Sequence, residues 1–149
     1  FYAHFDSKEE LLIEAIRSAF VDVQKNFYDL ADGEFNLDWL HALIDFYLSP
    51  EHRDNPSEGC PASALLSEMP RQTEAVRAAF ESEVKQLIDR YTVVLRGLSK
   101  EESKKLAIGL IGILTGGLQM ARSTANREYS NEVLEASIYS AKQLLKDRS

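Results

Sequence analysis

The chain is short of the residues that staple, kink or ligate. A single cysteine, Cys60, excludes an internal disulfide framework and suits a reducing compartment. Four prolines and seven glycines occur in 149 residues, and they cluster, so long helices are permitted. The three histidines, His4, His41 and His52, pair neither with one another nor with a Glu at ligand spacing on one helix. Neither a zinc site nor a bound cofactor is therefore expected. A Gly-rich phosphate loop and a nucleophile elbow are both missing. The carboxylates sit beside Lys and Arg, as solvated charge does, and an enzyme is not the expectation. The longest uncharged run, Leu106 to Ala121, is shorter than a bilayer span of roughly 20 residues and carries four glycines. A transmembrane helix is not expected. Basic charge is scarce too: the formal net charge is −7, and so acidic a surface repels phosphate. These residues alone should bind DNA poorly.

What is present is helical periodicity from end to end, with no strand pattern, repeat or low-complexity segment. Leu12, Ile16, Ala19, Phe20, Val23, Phe27 and Leu30 form one stripe on a helix of about residues 8–30, stopped at Asp32-Gly33. Asn36 is placed to cap a second helix, about 37–48, closed by Ser49-Pro50. It is apolar on more than one side, as a central helix is. The polar stretch from Pro50 to Gly59 reads as an exposed loop. Cys60-Pro61 opens a short helix to about Met69, Thr73 a long one to about Arg96, and the Ser99/Glu102 capping box another to about Thr124. Ser130 is placed to cap the last, about 131–147. The expectation is an all-α fold of about six helices.

The N-terminal stretch FYAHFDSKEELL carries the most specific signal. Ser7 can cap a helix, and Glu10 can reach back to the Ser7 amide, so the stretch predicts a joint between two helices packed through Phe1 and Phe5. An aromatic-Tyr-x-His-Phe followed by Asp-Ser-Lys-Glu-Glu-Leu-Leu resembles the end of the recognition helix and the start of the connecting helix in TetR-type transcriptional regulators. The helical layout through Ser149 is compatible with that family's regulatory domain, a match of architecture and less specific. The resemblance implies that residues 1–6 are the tail of a DNA-binding helix-turn-helix domain whose bulk precedes Phe1. It implies that residues 7–149 form an effector-binding and dimerisation domain.

The resemblance assigns candidate roles. Tyr2, His4 and Lys8 match positions at the DNA backbone, and a phenol, an imidazole and an ammonium near a helix N-terminus all donate to phosphate. For His4, packing of the joint is an equal alternative. Phe20, Trp39, Leu43, Phe46, Tyr47, Phe80, Leu87 and Tyr91, at helical spacing, read first as core. Gln24, Thr115 and Gln119 are interspersed among them, and a few polar groups in an apolar cleft are what a ligand site requires. The resemblance implies a small, mostly apolar effector there. Cys60 borders this set. At a helix start its thiol is either unusually acidic and reactive, or a small apolar capper, buried and inert. Gly109, Gly112 and Gly116 lie close to one face of their helix, beside Ile113. With Leu134, Ile138, Ala141 and Leu145 on the last helix they form the seam at which the resemblance implies a homodimer through a four-helix bundle. Burial of the glycine face within one protomer is the alternative. The function implied is a cytoplasmic, effector-responsive repressor acting on operator DNA. A helical interaction module, or a helical enzyme without a visible active-site motif, are the rival readings.

Overall fold

A computed structural model describes residues 6–28, 30, 34–95 and 97–146. Among these residues the fold is all-α, with no strand: α1 (Lys8–Tyr28), α2 (Leu37–Tyr47), α3 (Pro50–Asp54), α4 (Pro61–Leu65), α5 (Glu74–Val94), α6 (Lys100–Arg122) and α7 (Arg127–Leu144). The 3-10 turns Pro56–Glu58 and Met69–Arg71 lie between α3 and α4 and between α4 and α5. No helix among the described residues is long and apolar enough to cross a membrane.

The starts of these helices follow from their caps. Ser7 Oγ accepts from the Glu10 amide at 3.1 Å. Glu10 reaches back one residue further than expected, accepting from the Asp6 amide at 3.0 Å. Asn36 caps α2 through the Trp39 amide, Thr73 caps α5 through Val76, and Ser99 with Glu102 forms the capping box of α6. Each such cap is worth about 1 kcal/mol. Gly97 takes the α5–α6 turn at φ 89°, a left-handed conformation that favours glycine.

Three boundaries differ from the sequence reading. The stretch 50–59 is not an exposed loop: Ser49 caps α3 through the His52 amide at 3.1 Å with Pro50 in its first turn, and His52 and Arg53 are buried. Ser-Pro stops one helix and starts the next, because proline needs no amide partner there. The short helix after Cys60 ends at Leu65. The last helix begins at Arg127, capped by Asn126 through Tyr129. Ser130, expected as that cap, is one turn inside, where its hydroxyl donates to Ala121 O at 2.7 Å and ties α7 to α6. The expected stop at Asp32-Gly33 lies outside the described residues.

The long helices α5, α6 and α7 pack in sequence, α1 lies on α5, and α4 is set between α1 and α6. At the centre α2 buries Trp39, Leu40, Leu43, Ile44 and Tyr47. Side chains of this size gain about 1.5–3 kcal/mol each on full burial. One contact shows how closely α6 and α7 approach. A Cβ added at Gly117 would lie 2.4 Å from Ser137 Oγ and 2.7 Å from its Cβ, so only glycine lets the helices come this near.

Candidate functional site

The α1, α2 and α5 helices enclose a cavity closed by the N-terminal cap of α4. It is lined by Phe20, Val23, Gln24 and Phe27 from α1, Trp39 and Tyr47 from α2, Cys60, and Leu87, Arg90 and Tyr91 from α5. The spacing explains the set: residues three and four apart on α1 and α5 share a face. The free space is about 20 Å³, room for one water-sized guest, so anything larger must part the walls.

The polar groups around it are unevenly paired. The Trp39 indole donates to Phe27 O at 2.9 Å, anchoring α2 on the last turn of α1. The Tyr47 hydroxyl is fully buried and has no hydrogen-bond partner among the described residues. Burial pushes its pKa well up, and the neighbouring Cys60 raises it further. Tyr91 is likewise raised by burial. Arg90 is half-buried. Its guanidinium lies over the Phe35 ring, 5.2 Å from the centroid, and no carboxylate pairs with it among the described residues.

Seven residues expected around the effector line this cavity: Phe20, Gln24, Trp39, Tyr47, Cys60, Leu87 and Tyr91. Five do not. Leu43 is buried on α2, and Phe46 packs edge-on to Phe27 and stacks on His52. Phe80 meets Phe20 edge-on and faces the α5–α6 groove. Thr115 bonds back to Ile111 O at 2.8 Å, as helix threonines do. Gln119 donates its amide to Ser63 O, joining α6 to α4. The polar pair on α6 is thus structural. Val23 and Phe27 were legible as part of the α1 stripe. Arg90 was missed, although it lies three residues after Leu87 and beside Tyr91, the spacing of one helical face.

Burial raises the Cys60 pKa, outweighing the Tyr47 hydroxyl beside it, the nearby amides and Arg122, which speaks against the acidic alternative. Its amide donates to His52 Nε2 at 3.1 Å, while His52 Nδ1 lies 2.6 Å from Tyr47 O. That pair of contacts fixes a neutral imidazole with the proton on Nδ1, and burial holds its pKa below the ordinary range. A Cβ on Gly59 would strike the ring at 2.3 Å.

The expected dimer seam divides. Leu134, Ala141 and Leu145 are buried inside the protomer, because they face α6 across the Gly117 contact side, and Ile138 is half-buried. Gly112 is exposed and Gly116 half-exposed, and a Cβ on either would meet open space, as would one on Gly109 apart from Leu144 at 3.7 Å. Beside them Ile113, Met120, Val133, Ala136 and Ser140 line a shallow groove of about 380 Å³ between α6 and α7. Lys8 is exposed in the first turn of α1. Tyr2 and His4 lie outside the described residues.

The model of the C-terminal domain of LmrA/YxaF-like transcriptional regulators matches residues 37–135, about two thirds of the chain. No curated protein matches the sequence. The matched span runs from the first turn of α2 into α7 and so takes in the buried helix, the α4 cap and both long helices behind the cavity. An all-α order of helices, an enclosed aromatic cavity and that match agree: the chain belongs to the TetR family of transcriptional regulators, through a C-terminal domain of the LmrA/YxaF-like type.

Proposed function

We propose that the protein is an effector-responsive repressor, with residues 1–6 ending a DNA-binding helix-turn-helix and residues 7–149 binding a small, largely apolar effector and forming a homodimer in the cytoplasm. The observation that carries this reading is the shared ownership of α1. One end of it supplies Phe20, Val23, Gln24 and Phe27 to the cavity. The other end begins at the Ser7 cap, directly after the FYAHF stretch that resembles the tail of a reading helix. A guest that parts the walls by displacing α1 would move the joint, and an effector shifts the DNA-competent population only through such differential affinity. The expected outcome is that a small ligand releases operator DNA from the full-length protein at the concentration that changes Trp39 emission. Release with unchanged emission would place the effector elsewhere.

Tyr2, His4 and Lys8 are assigned to DNA phosphates. Lys8→Ala should weaken binding to all sequences alike and reduce the salt slope by about one. An altered base preference at an unchanged slope rejects that role. For the dimer, the open α6–α7 face with Gly109, Gly112, Ile113 and Gly116 is the proposed contact, a two-fold interface completed by the partner's own α6 and α7. Ile108, Met120 and Tyr139 are large apolar or aromatic side chains exposed on the same two helices. Gly112→Leu projects into open space within the protomer, so it should leave the fold intact and lower the dimer affinity. A folded variant that sediments as an unchanged dimer removes Gly112 from the interface.

A further inference from the structure

The side chains lining the cavity carry one cation, Arg90, and no anion, in a protein whose net charge is −7. Every other polar group there is neutral, and the Trp39 indole is already committed to Phe27 O. Of the polar groups left to recognise a guest, Gln24 and the Tyr91 hydroxyl among them, two stand out. The Tyr47 hydroxyl is buried with no partner among the described residues. Arg90 has a ring beneath it, and no carboxylate pairs with it among the described residues. A guest that fills the space strips water from that guanidinium, and a half-buried charge losing water must be compensated by a counter-charge or hydrogen-bond acceptor. An ammonium guest would suit the rings and be repelled by Arg90. A neutral hydrocarbon would leave both donors unmet.

We propose, building on the effector-binding reading above, that the cavity selects a small apolar acid: a ring-sized hydrocarbon body carrying one anionic oxygen group that accepts from Arg90 and from the Tyr47 hydroxyl. The rings of Phe20, Phe27, Trp39 and Tyr91 take the body, and the oxygen group turns two unmet donors into charge-assisted hydrogen bonds.

The test compares acids with their own amides, which keep the shape and remove the charge. The protein is titrated with 4-tert-butylbenzoate and 4-tert-butylbenzamide, and separately with 2-naphthoate and 2-naphthamide, by calorimetry, with emission of the single tryptophan, Trp39, as a second readout. Each acid should bind about tenfold tighter than its amide, the scale of one hydrogen bond to a charged group. Arg90→Gln should bring acid and amide level, and Arg90→Lys should restore part of the preference. Tyr47→Phe should weaken the acids several-fold without loss of fold, since it deletes only an unpartnered hydroxyl. If acid and amide bind equally to the parent, or the preference survives Arg90→Gln, the acid selectivity is overturned while the cavity stands as an effector site. If no probe binds at all, the effector-binding reading falls and the selectivity with it.

Discussion

Among the described residues, every buried polar side chain around α3 is met, whereas around the cavity, one residue contact away, they are not. Arg53 is buried and donates to Ser130 Oγ at 3.0 Å, Asn131 Oδ1 at 2.7 Å and Asp54 Oδ1 at 3.0 Å. Arg122 donates to the carbonyls of Arg53 at 3.1 Å and His52 at 2.9 Å, at the end of a helix where a cation is favoured. Arg127 closes the outside by pairing both its terminal nitrogens with Asp54, whose pKa is held well below the carboxylate range by Arg127 and then Arg53. Among the described residues, the cavity has a phenol without a hydrogen-bond partner and an arginine without a carboxylate. A satisfied network holds one geometry, and an unsatisfied one stores a preference for something that arrives later. The three arginines near α3 therefore read as scaffold, and the single arginine near the rings as a receptor group.

The contrast breaks most visibly at Arg53. Arg53→Ala leaves Ser130 and Asn131 without their buried donor and should cost about 3 kcal/mol in urea unfolding. A loss below about 1 kcal/mol would reduce the network to an ordinary surface pair. His52 provides a smaller, pH-dependent test. Its folded pKa lies below the ordinary value because of burial, partly offset by the bond to Tyr47 O, with Arg122 lowering it further. The unfolded chain then binds more protons, so this contribution is complete above the ordinary imidazole value. It is lost as pH falls from about 6.5 toward the depressed pKa. His52→Gln should flatten that limb of the stability–pH curve, and an unchanged limb would assign it to another group. The smallest effect sharpens the other side. Tyr47→Phe should leave stability unchanged or raise it by up to ~1 kcal/mol, because the deleted hydroxyl has no bond to lose. A clear loss would show that the phenol is paired after all, and the comparison would fail at its key residue.

How much of this was legible varies with the physics involved. Caps and stripes are local, and the α2, α5 and α6 starts at Asn36, Thr73 and Ser99 follow directly from side chains three residues from the amides they accept from. The cavity was legible in outline, since Phe20, Gln24, Trp39, Tyr47, Leu87 and Tyr91 recur at helical spacing. What sequence could not decide was which polar residues face inward. Gln119 and Thr115 bond to backbone instead, and Arg90 on an otherwise charged turn takes their place. The α3 network was illegible, because Arg53 meets Ser130 and Asn131 across more than seventy residues. Those partners are made by tertiary packing, and no local pattern announces them. The same holds for Gly117: sequence singled out its neighbours Gly112 and Gly116, but only the position of Ser137 on α7 shows which glycine is constrained.

A hydrogen bond at the start of α1 has mechanical meaning. The Thr73 hydroxyl, which caps α5, donates to Glu9 Oε2 at 2.6 Å, so the two long walls of the cavity are pinned together near their N-terminal ends. Gln24 lies fifteen residues farther along α1, an arm of about 22 Å at 1.5 Å per residue. With Glu9–Thr73 as the fulcrum, each ångström by which a guest pushes Gln24 outward turns α1 through roughly 2.5°. Ser7 and whatever precedes it ride on the short side of the pivot, where displacement is small and rotation is passed on in full. Under the proposed effector response, α1 and α5 would act as tongs held near the hinge, converting the width of a guest into an angle at the joint.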